Sequence, residues 1–302
     1  MVVAVSDQPY CRQIAEHEPL HGTAPEGVQR WLLVEDADPW GPKPPRDSAL
    51  PQAVKGWLAA RSSEPGVRVQ LIRCGESQRR GGAGRGTQPR QVFVVDAGVD
   101  AKARRILGAR LELDAIPDLR LDDPSLSAHG FEAVAGPLWL VCTHGKRDRC
   151  CAKWGVELWE RVRARVDAPA RVWQSSHLGG HRFAPVAAAL PTGLMWGRVE
   201  VGEVDTLIEG IAAGQVPLLP KLRGRCCHPR PLQAAEALLR RREALNEDDA
   251  LSLLASRGDL VTYTTPAGTG QTTIRRTPGR PTLASCGDEG LQPRAHFELA
   301  PA

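Results

Sequence analysis

Two stretches of this chain each read as an apolar strand, an amphipathic helix and a second apolar strand, and that order restricts the fold more than any other feature. The plainer copy begins at PLWLVC (137–142), continues through AKWGVELWERVRARV (152–166) and closes in ARVWQSS (170–176). Its middle segment places Trp154, Leu158, Trp159, Val162 and Val166 at helical spacing on one face. Beyond it, HRFAPVAAAL (181–190) is expected as a short helix, TGLMWGRVEV (192–201) as a strand or tight hairpin, and VDTLIEGIAAGQ (204–215) as a closing helix.

The earlier copy runs from QRWLLVED (29–36) through SALPQAVKGWLAARS (48–62) to VRVQLIR (67–73), with QVFVVDA (91–97) as a further strand. ADPWGPKPPRD (37–47) can continue neither strand nor helix, because its four prolines lack a donor and fix φ. Residues 75–90, rich in Gly and Arg, read as a mobile solvated loop. The order predicts an α/β fold with two thioredoxin-like domains, each a sheet between helices, and suggests an internal duplication. A small α+β C-terminal extension follows. Its expected helices are PLQAAEALLRRREAL (231–245) and NEDDALSLLASRG (246–258), and its expected strands LVTYTT (260–265), QTTIRRT (271–277) and AHFEL (295–299).

A chain of 302 residues exceeds one ordinary core, which fits this division into 1–130, 131–222 and 223–302. Hydrophobic residues at 42% and charged residues at 25% exclude a disordered or collagen-like chain. A net charge of +4 is too balanced to suggest a nucleic-acid binder. No run of about 18 apolar residues suggests a membrane span, and no signal-peptide core opens the chain. Eight cysteines are too sparse for a disulfide scaffold, so a cytoplasmic location is expected, where clustered Cys and His bind metal or do redox work.

The chemistry-bearing residues lie where two neighbouring strands should end. Cys142 closes PLWLVC, Cys150 and Cys151 follow in its loop, and His177 and His181 follow ARVWQSS. In an open α/β sheet ligands collect beyond the carboxyl ends of the strands, which puts both groups on one edge. The spacings are C-x8-C and H-x3-H. Two thiolates and two imidazoles serve a tetrahedral zinc ion or a [2Fe–2S] cluster, and spacing alone does not choose. The eight-residue loop and the Gly179-Gly180 pair, which lets backbone N–H groups approach, favour the larger core. Lys146, Arg147, Arg149 and Arg182 form a cationic rim able to steer an acidic partner, or else a solvated loop.

These segments resemble the sucrase/ferredoxin-like family. The resemblance rests on VCTHGKRDRCCAKWG (141–155), VWQSSHLGGHRFAPVAAALPTGLMWGRV (172–199) and EPLHGTAPEGVQRWLLVEDADPWGPK (18–43), with a looser echo at ASCGDE (284–289). It implies a thioredoxin-like [2Fe–2S] ferredoxin domain in the middle of the chain. Cys142 and Cys151 would hold one iron and His177 and His181 the other, with Cys150 as the extra cysteine and alternative ligand. Arg147, Gly179 and Gly180 would support the cluster from behind its ligands.

The expected protein is an electron carrier ahead of a catalyst, with an oxidoreductase component as the alternative, passing single electrons to or from a redox partner with an acidic docking surface or a flavin reductase, and contacting neither nucleic acid nor membrane. Two neutral imidazoles in place of thiolates should raise its potential. Sugar hydrolysis is set aside, since no pair of carboxylates stands out to flank a sugar. The alternatives are a structural zinc module and dithiol chemistry at Cys150-Cys151 or Cys226-Cys227, the latter disfavoured by the lack of a CxxC. The N-terminal unit, with Cys11 and Cys74, is expected to be a degenerate copy packed against the metal domain. Cys226, Cys227, His228 and Cys286 receive no role.

Overall fold

The computed structural model describes residues 9–74 and 88–300. The chain forms α1 (Cys11–Ile14), β1 (Arg30–Glu35), α2 (Gln52–Ser62), β2 (Val67–Arg73), β3 (Arg90–Asp96), β4 (Arg105–Leu111), α3 (Asp123–Ala128) and β5 (Glu132–Ala133). It continues through β6 (Leu138–Cys142), α4 (Arg149–Arg165), β7 (Val172–Ser175), β8 (Val186–Leu190), β9 (Leu194–Gly197), α5 (Val204–Ala212), β10 (Leu222–Arg225) and α6 (Arg230–Glu243). The last four strands are β11 (Ser252–Arg257), β12 (Leu260–Thr265), β13 (Gly268–Thr282) and β14 (Gln292–Leu299). Most of the Gly/Arg-rich loop expected at 75–90 lies outside the described residues.

The first ten strands form one mixed sheet in the order β10-β9-β8-β6-β7-β2-β1-β3-β4-β5. The pairs β1/β2 and β6/β7 are parallel, each closed by a crossover helix, α2 or α4. Each is extended on its other side by two antiparallel strands, β3 and β4 or β8 and β9. The same order of connections therefore occurs twice. The halves join edge to edge where β2 meets β7, with Ile72 opposite Ser175 and Arg73 opposite Gln174.

Side-chain alternation explains why β1 and β6 are apolar at nearly every position. Trp31 and Leu33 of β1 and Leu138, Leu140 and Cys142 of β6 share one core that runs across both halves. Leu32 and Val34 pack instead with Val54 and Leu58 of α2, and Trp139 and Val141 with Leu158, Trp159 and Val162 of α4. Helices α2 and α4 thus cover one face. Apolar residues of the connecting segments, among them Leu20, Ala24, Val28, Leu178 and Phe183, cover the other. The fold is thus mixed α/β, with helices on one face of the large sheet and connecting segments against the other.

Three local expectations are corrected. The segment read as a helix over 181–190 gives a 3-10 turn, His181–Phe183, and then strand β8. Its alanines pair with β6 on one side and β9 on the other, and that tertiary pairing overrides their helical propensity. The segment 246–258 gives a 3-10 turn and strand β11, paired with β12. Trp154 leaves the shared helical face and packs edge-on against Tyr10, ring centroids 5.0 Å apart.

The C-terminal part is α6 against a four-stranded antiparallel sheet, β11-β12-β13-β14. Ala234, Ala235 and Leu239 of α6 pack on Val261, Tyr263 and Ile274. Buried ion pairs tie the helix back to the large sheet. Arg225 of β10 pairs with Glu236 at 2.9 Å and with Asp248, and Arg240 meets Glu236 at 3.3 Å. Among the described residues no helix is long and apolar enough to cross a membrane.

Candidate metal centre

Cys142 is the last residue of β6, and the chain then loops into α4. Asp148 caps that helix, its carboxylate accepting the Cys150 N–H at 2.8 Å, so the helix starts three residues before the apolar pattern suggested. This start puts Cys150 and Cys151 in the first turn. At Gly155 the helix presses against the end of β6 so closely that a Cβ would lie 2.0 Å from the carbonyl oxygen of Cys142. The parallel neighbour β7 ends at Ser175, two residues before His177.

Cys142, Cys151 and His177 converge, with one ligand atom from each within 4.8 Å of the others. His177 Nδ1 is 3.9 Å from each of the two sulfurs. Both cysteines are buried and His177 is partly exposed. Gly179 and Gly180, at φ +96° and +71°, turn the chain back, so that the rings of His177 and His181 stack with centroids 4.9 Å apart. His181 Nε2 faces Asp148 Oδ2 at 3.8 Å, and its buried Nδ1 has no hydrogen-bond partner among the described residues. Three members of the expected quartet are therefore gathered, and the fourth stands beside them.

Cys150 turns the other way. It joins Cys11 and Cys286, its sulfur 3.4 Å and 3.3 Å from theirs, around Asp148. Nothing in the spacing along the chain announces this second group. The echo at 284–289 is its only sequence trace, because Cys11 and Cys286 lie 275 residues apart. Cys226 and Cys227, considered above for dithiol chemistry, are buried, and burial raises both thiol pKa values, that of Cys226 to about 12.

The electrostatics follow from these contacts. The Cys151 thiol hydrogen-bonds to Cys142 and the His177 ring lies beside it, which hold Cys142 well below the usual thiol range. The same bond, together with burial, pushes Cys151 well above it. Burial acts to raise the Asp148 pKa, but the N–H groups of Cys286 and Cys150 and the nearby His181 hold it below the usual carboxylate range. Burial lowers the His181 pKa against the pull of Asp148.

Of the cationic rim, Lys146 and Arg147 are exposed. Arg182 is spent on Glu18, with two bonds of 2.7 Å, and Arg149 lies over the Tyr10 ring at 4.7 Å. Asp148, between Arg147 and Arg149 in sequence, is turned inward, toward Cys150, Cys286 and His181. A groove of about 360 Å³ opens beside His177, lined among others by Lys43, Arg68 and Arg147. From the N-terminal half, Gly41 accepts a hydrogen bond from His144 Nε2 at 2.9 Å, and Trp40 meets the His144 ring edge-on. Gly179 and Gly180 line a separate cavity of about 630 Å³ on the far side of the turn, where the Gly179 carbonyl accepts from Arg223.

A mixed α/β scaffold that brings two thiols and an imidazole to the ends of adjacent parallel strands defines a protein with a candidate Cys/His metal centre. Residues 20–224 match the family described as sucrase/ferredoxin-like, and the chain belongs to that family. No curated protein and no solved structure gives a match.

Proposed function

We propose that this protein is a one-electron carrier, with a [2Fe–2S] cluster held by Cys142, Cys151, His177 and His181 in a thioredoxin-like unit that ends near residue 222. The observation that carries the reading is the convergence of Cys142, Cys151 and His177 inside the segment matched to the family, with a second imidazole stacked alongside. The donor chemistry fits: two buried sulfurs, that of Cys142 with its pKa held low by Cys151 and His177, and a buried imidazole nitrogen, His181 Nδ1, with no hydrogen-bond partner among the described residues. When bound, such a cluster accepts and returns single electrons, at a potential raised by its neutral imidazole ligands, as in Rieske centres.

The protein's own residues set access. Cys142 and Cys151 are closed off by β6 and α4, which leaves the partly exposed His177 as the edge facing outward. Lys43, Arg68 and Arg147 around the adjoining groove suit an acidic partner protein, a flavin reductase among the candidates, in the reducing cytosol. The N-terminal half shields the site through Trp40 and Gly41.

The test is direct. Protein purified without oxygen should be coloured, contain two irons per chain and give an EPR signal on reduction. Cys142→Ser and Cys151→Ser should each lose the colour, while Cys150→Ser keeps it. Loss in Cys150→Ser with retention in Cys151→Ser would reverse the ligand assignment. One observation favours a second reading, a single zinc ion. The 3.9 Å between each sulfur and His177 Nδ1 is near the S–N edge of about 3.5 Å that zinc bond lengths imply. Colourless protein with one tightly held zinc that is lost in Cys142→Ser would establish that reading in place of the cluster.

A further inference from the structure

The second cysteine group has the form of a binding site in its own right. The sulfurs of Cys11, Cys150 and Cys286 make a closed triangle with sides of 3.4, 3.3 and 3.6 Å. A tetrahedral zinc ion with Zn–S bonds of about 2.3 Å would hold its thiolates about 3.8 Å apart, so a small opening of the triangle admits the ion. Asp148 lies against the triangle, both carboxylate oxygens 3.9 Å from Cys11 Sγ. All four residues are buried.

Three features separate this group from accidental packing. All three cysteines are free, and a disulfide between any two would leave the third sulfur without a role. The backbone aims the donors: Asp148 accepts the N–H of Cys150 and the N–H of Cys286, each at 2.8 Å, which brings two of the three cysteines onto one carboxylate. The surroundings are cationic, with Arg12 over Trp154 at 4.5 Å and Lys153 over Tyr10 at 4.2 Å, so the negative charge of bound thiolates would be offset nearby.

We infer that Cys11, Cys150, Cys286 and Asp148 form a second metal site, for a single thiophilic divalent ion of the zinc type, distinct from the centre at Cys142, Cys151 and His177. The three thiol protons leave to solvent when the ion binds, and no electron moves. Four coordination positions are filled by protein, as in structural rather than catalytic zinc sites. The ion would clamp together the N-terminal segment, the head of α4 and the loop between β13 and β14. Cys11 and Cys286 both lie outside the residues matched to the family. Because Asp148 also faces His181, the clamp would hold that imidazole in place beside the first centre.

The experiment uses full-length protein carrying Cys142→Ser and Cys151→Ser, which disables the first centre and makes the result independent of what that centre holds. After removal of metal by a chelator without oxygen, Co²⁺ should bind one per chain with thiolate-to-cobalt absorption and tetrahedral d–d bands, and Zn²⁺ should displace it. Adding Cys11→Ser and Cys286→Ser should abolish both signals. Alkylation read by mass spectrometry guards against a variant that fails to fold: in wild-type protein Zn²⁺ should slow modification of Cys11, Cys150 and Cys286 together. The absence of cobalt bands in the double variant, with no zinc protection of these three thiols in the wild type, would overturn the site. A Cys11–Cys150 or Cys150–Cys286 disulfide in anaerobic wild-type protein would overturn it too.

Discussion

Gly155→Ala is expected to strip bound metal from the protein and to lower its stability, whereas Gly56→Ala, the matching change in the other crossover helix, should stabilise it. Alanine is the better helix former by about 1 kcal/mol, so propensity alone predicts a gain at both positions. The surroundings decide otherwise. A Cβ at Gly155 would sit 2.0 Å from the Cys142 carbonyl oxygen and 3.1 Å from its carbon, atoms of a central strand that cannot step aside, while a Cβ at Gly56 meets nothing within 4 Å. Relief requires α4 to move off β6. Overpacking of this kind destabilises by about 1–3 kcal/mol, and by more when backbone must shift. The displaced helix carries both Cys150 and Cys151, so metal should be lost from both proposed sites at once. Metal content and urea midpoints for the two variants measure this, and a Gly155→Ala protein with wild-type metal content would refute the account.

Glu236→Ala should destabilise the protein by about 3–5 kcal/mol, because it leaves Arg225 and Arg240 buried without their shared carboxylate. That is a large part of a typical total of about 5–15 kcal/mol. The loss should fall first on α6 and the sheet it supports, which carries the Cys286 loop. The pH dependence has a definite sign. Burial alone would raise the Glu236 pKa, but Arg225 and Arg240 outweigh it and hold the carboxyl down to about 2, against an ordinary 4.5. A depressed carboxylate pKa stabilises the fold above the unfolded value. Its contribution should therefore be complete above about pH 4.5 and fade as pH falls toward 2. Urea unfolding of Glu236→Gln should show a shallower loss of stability across that window than the wild type. Parallel pH profiles for the two, or a change below about 1 kcal/mol in Glu236→Ala, would mean that Asp248, already paired with Arg225, and the carbonyls that accept from Arg240 suffice to hold the arginines.

Local pattern carried much of this molecule into view. The boundaries of β2 coincide with VRVQLIR, and those of β3, β6 and β7 lie within one or two residues of the expected runs, because short runs rich in β-branched and other apolar residues, bounded by turn-forming segments, favour strands. The pattern misled where it was ambiguous. VAAAL is short, apolar and rich in alanine, and only its neighbours β6 and β9 make it a strand. The segment 246–258 failed in the same way, taken from helix to strand by pairing with β12.

The candidate centre divides along the same line. Cys142, Cys151, His177 and His181 were legible because strand ends and short loops keep them within 40 residues, and nearness in sequence there means nearness in space. The separation of Cys150 from Cys151 was not legible, since it depends on which side of one helical turn each sulfur leaves, and that turn is fixed by the Asp148 cap. Cys11 and Cys286 were further still from view. The sequence by itself determined two strand–helix–strand units and placed the cysteines and histidines of one candidate site at neighbouring strand ends, because both follow from local pattern. Only the tertiary structure decided that the two units share one sheet through β2 and β7, and that sulfurs 275 residues apart close around Asp148. Those contacts form between surfaces that no local pattern relates.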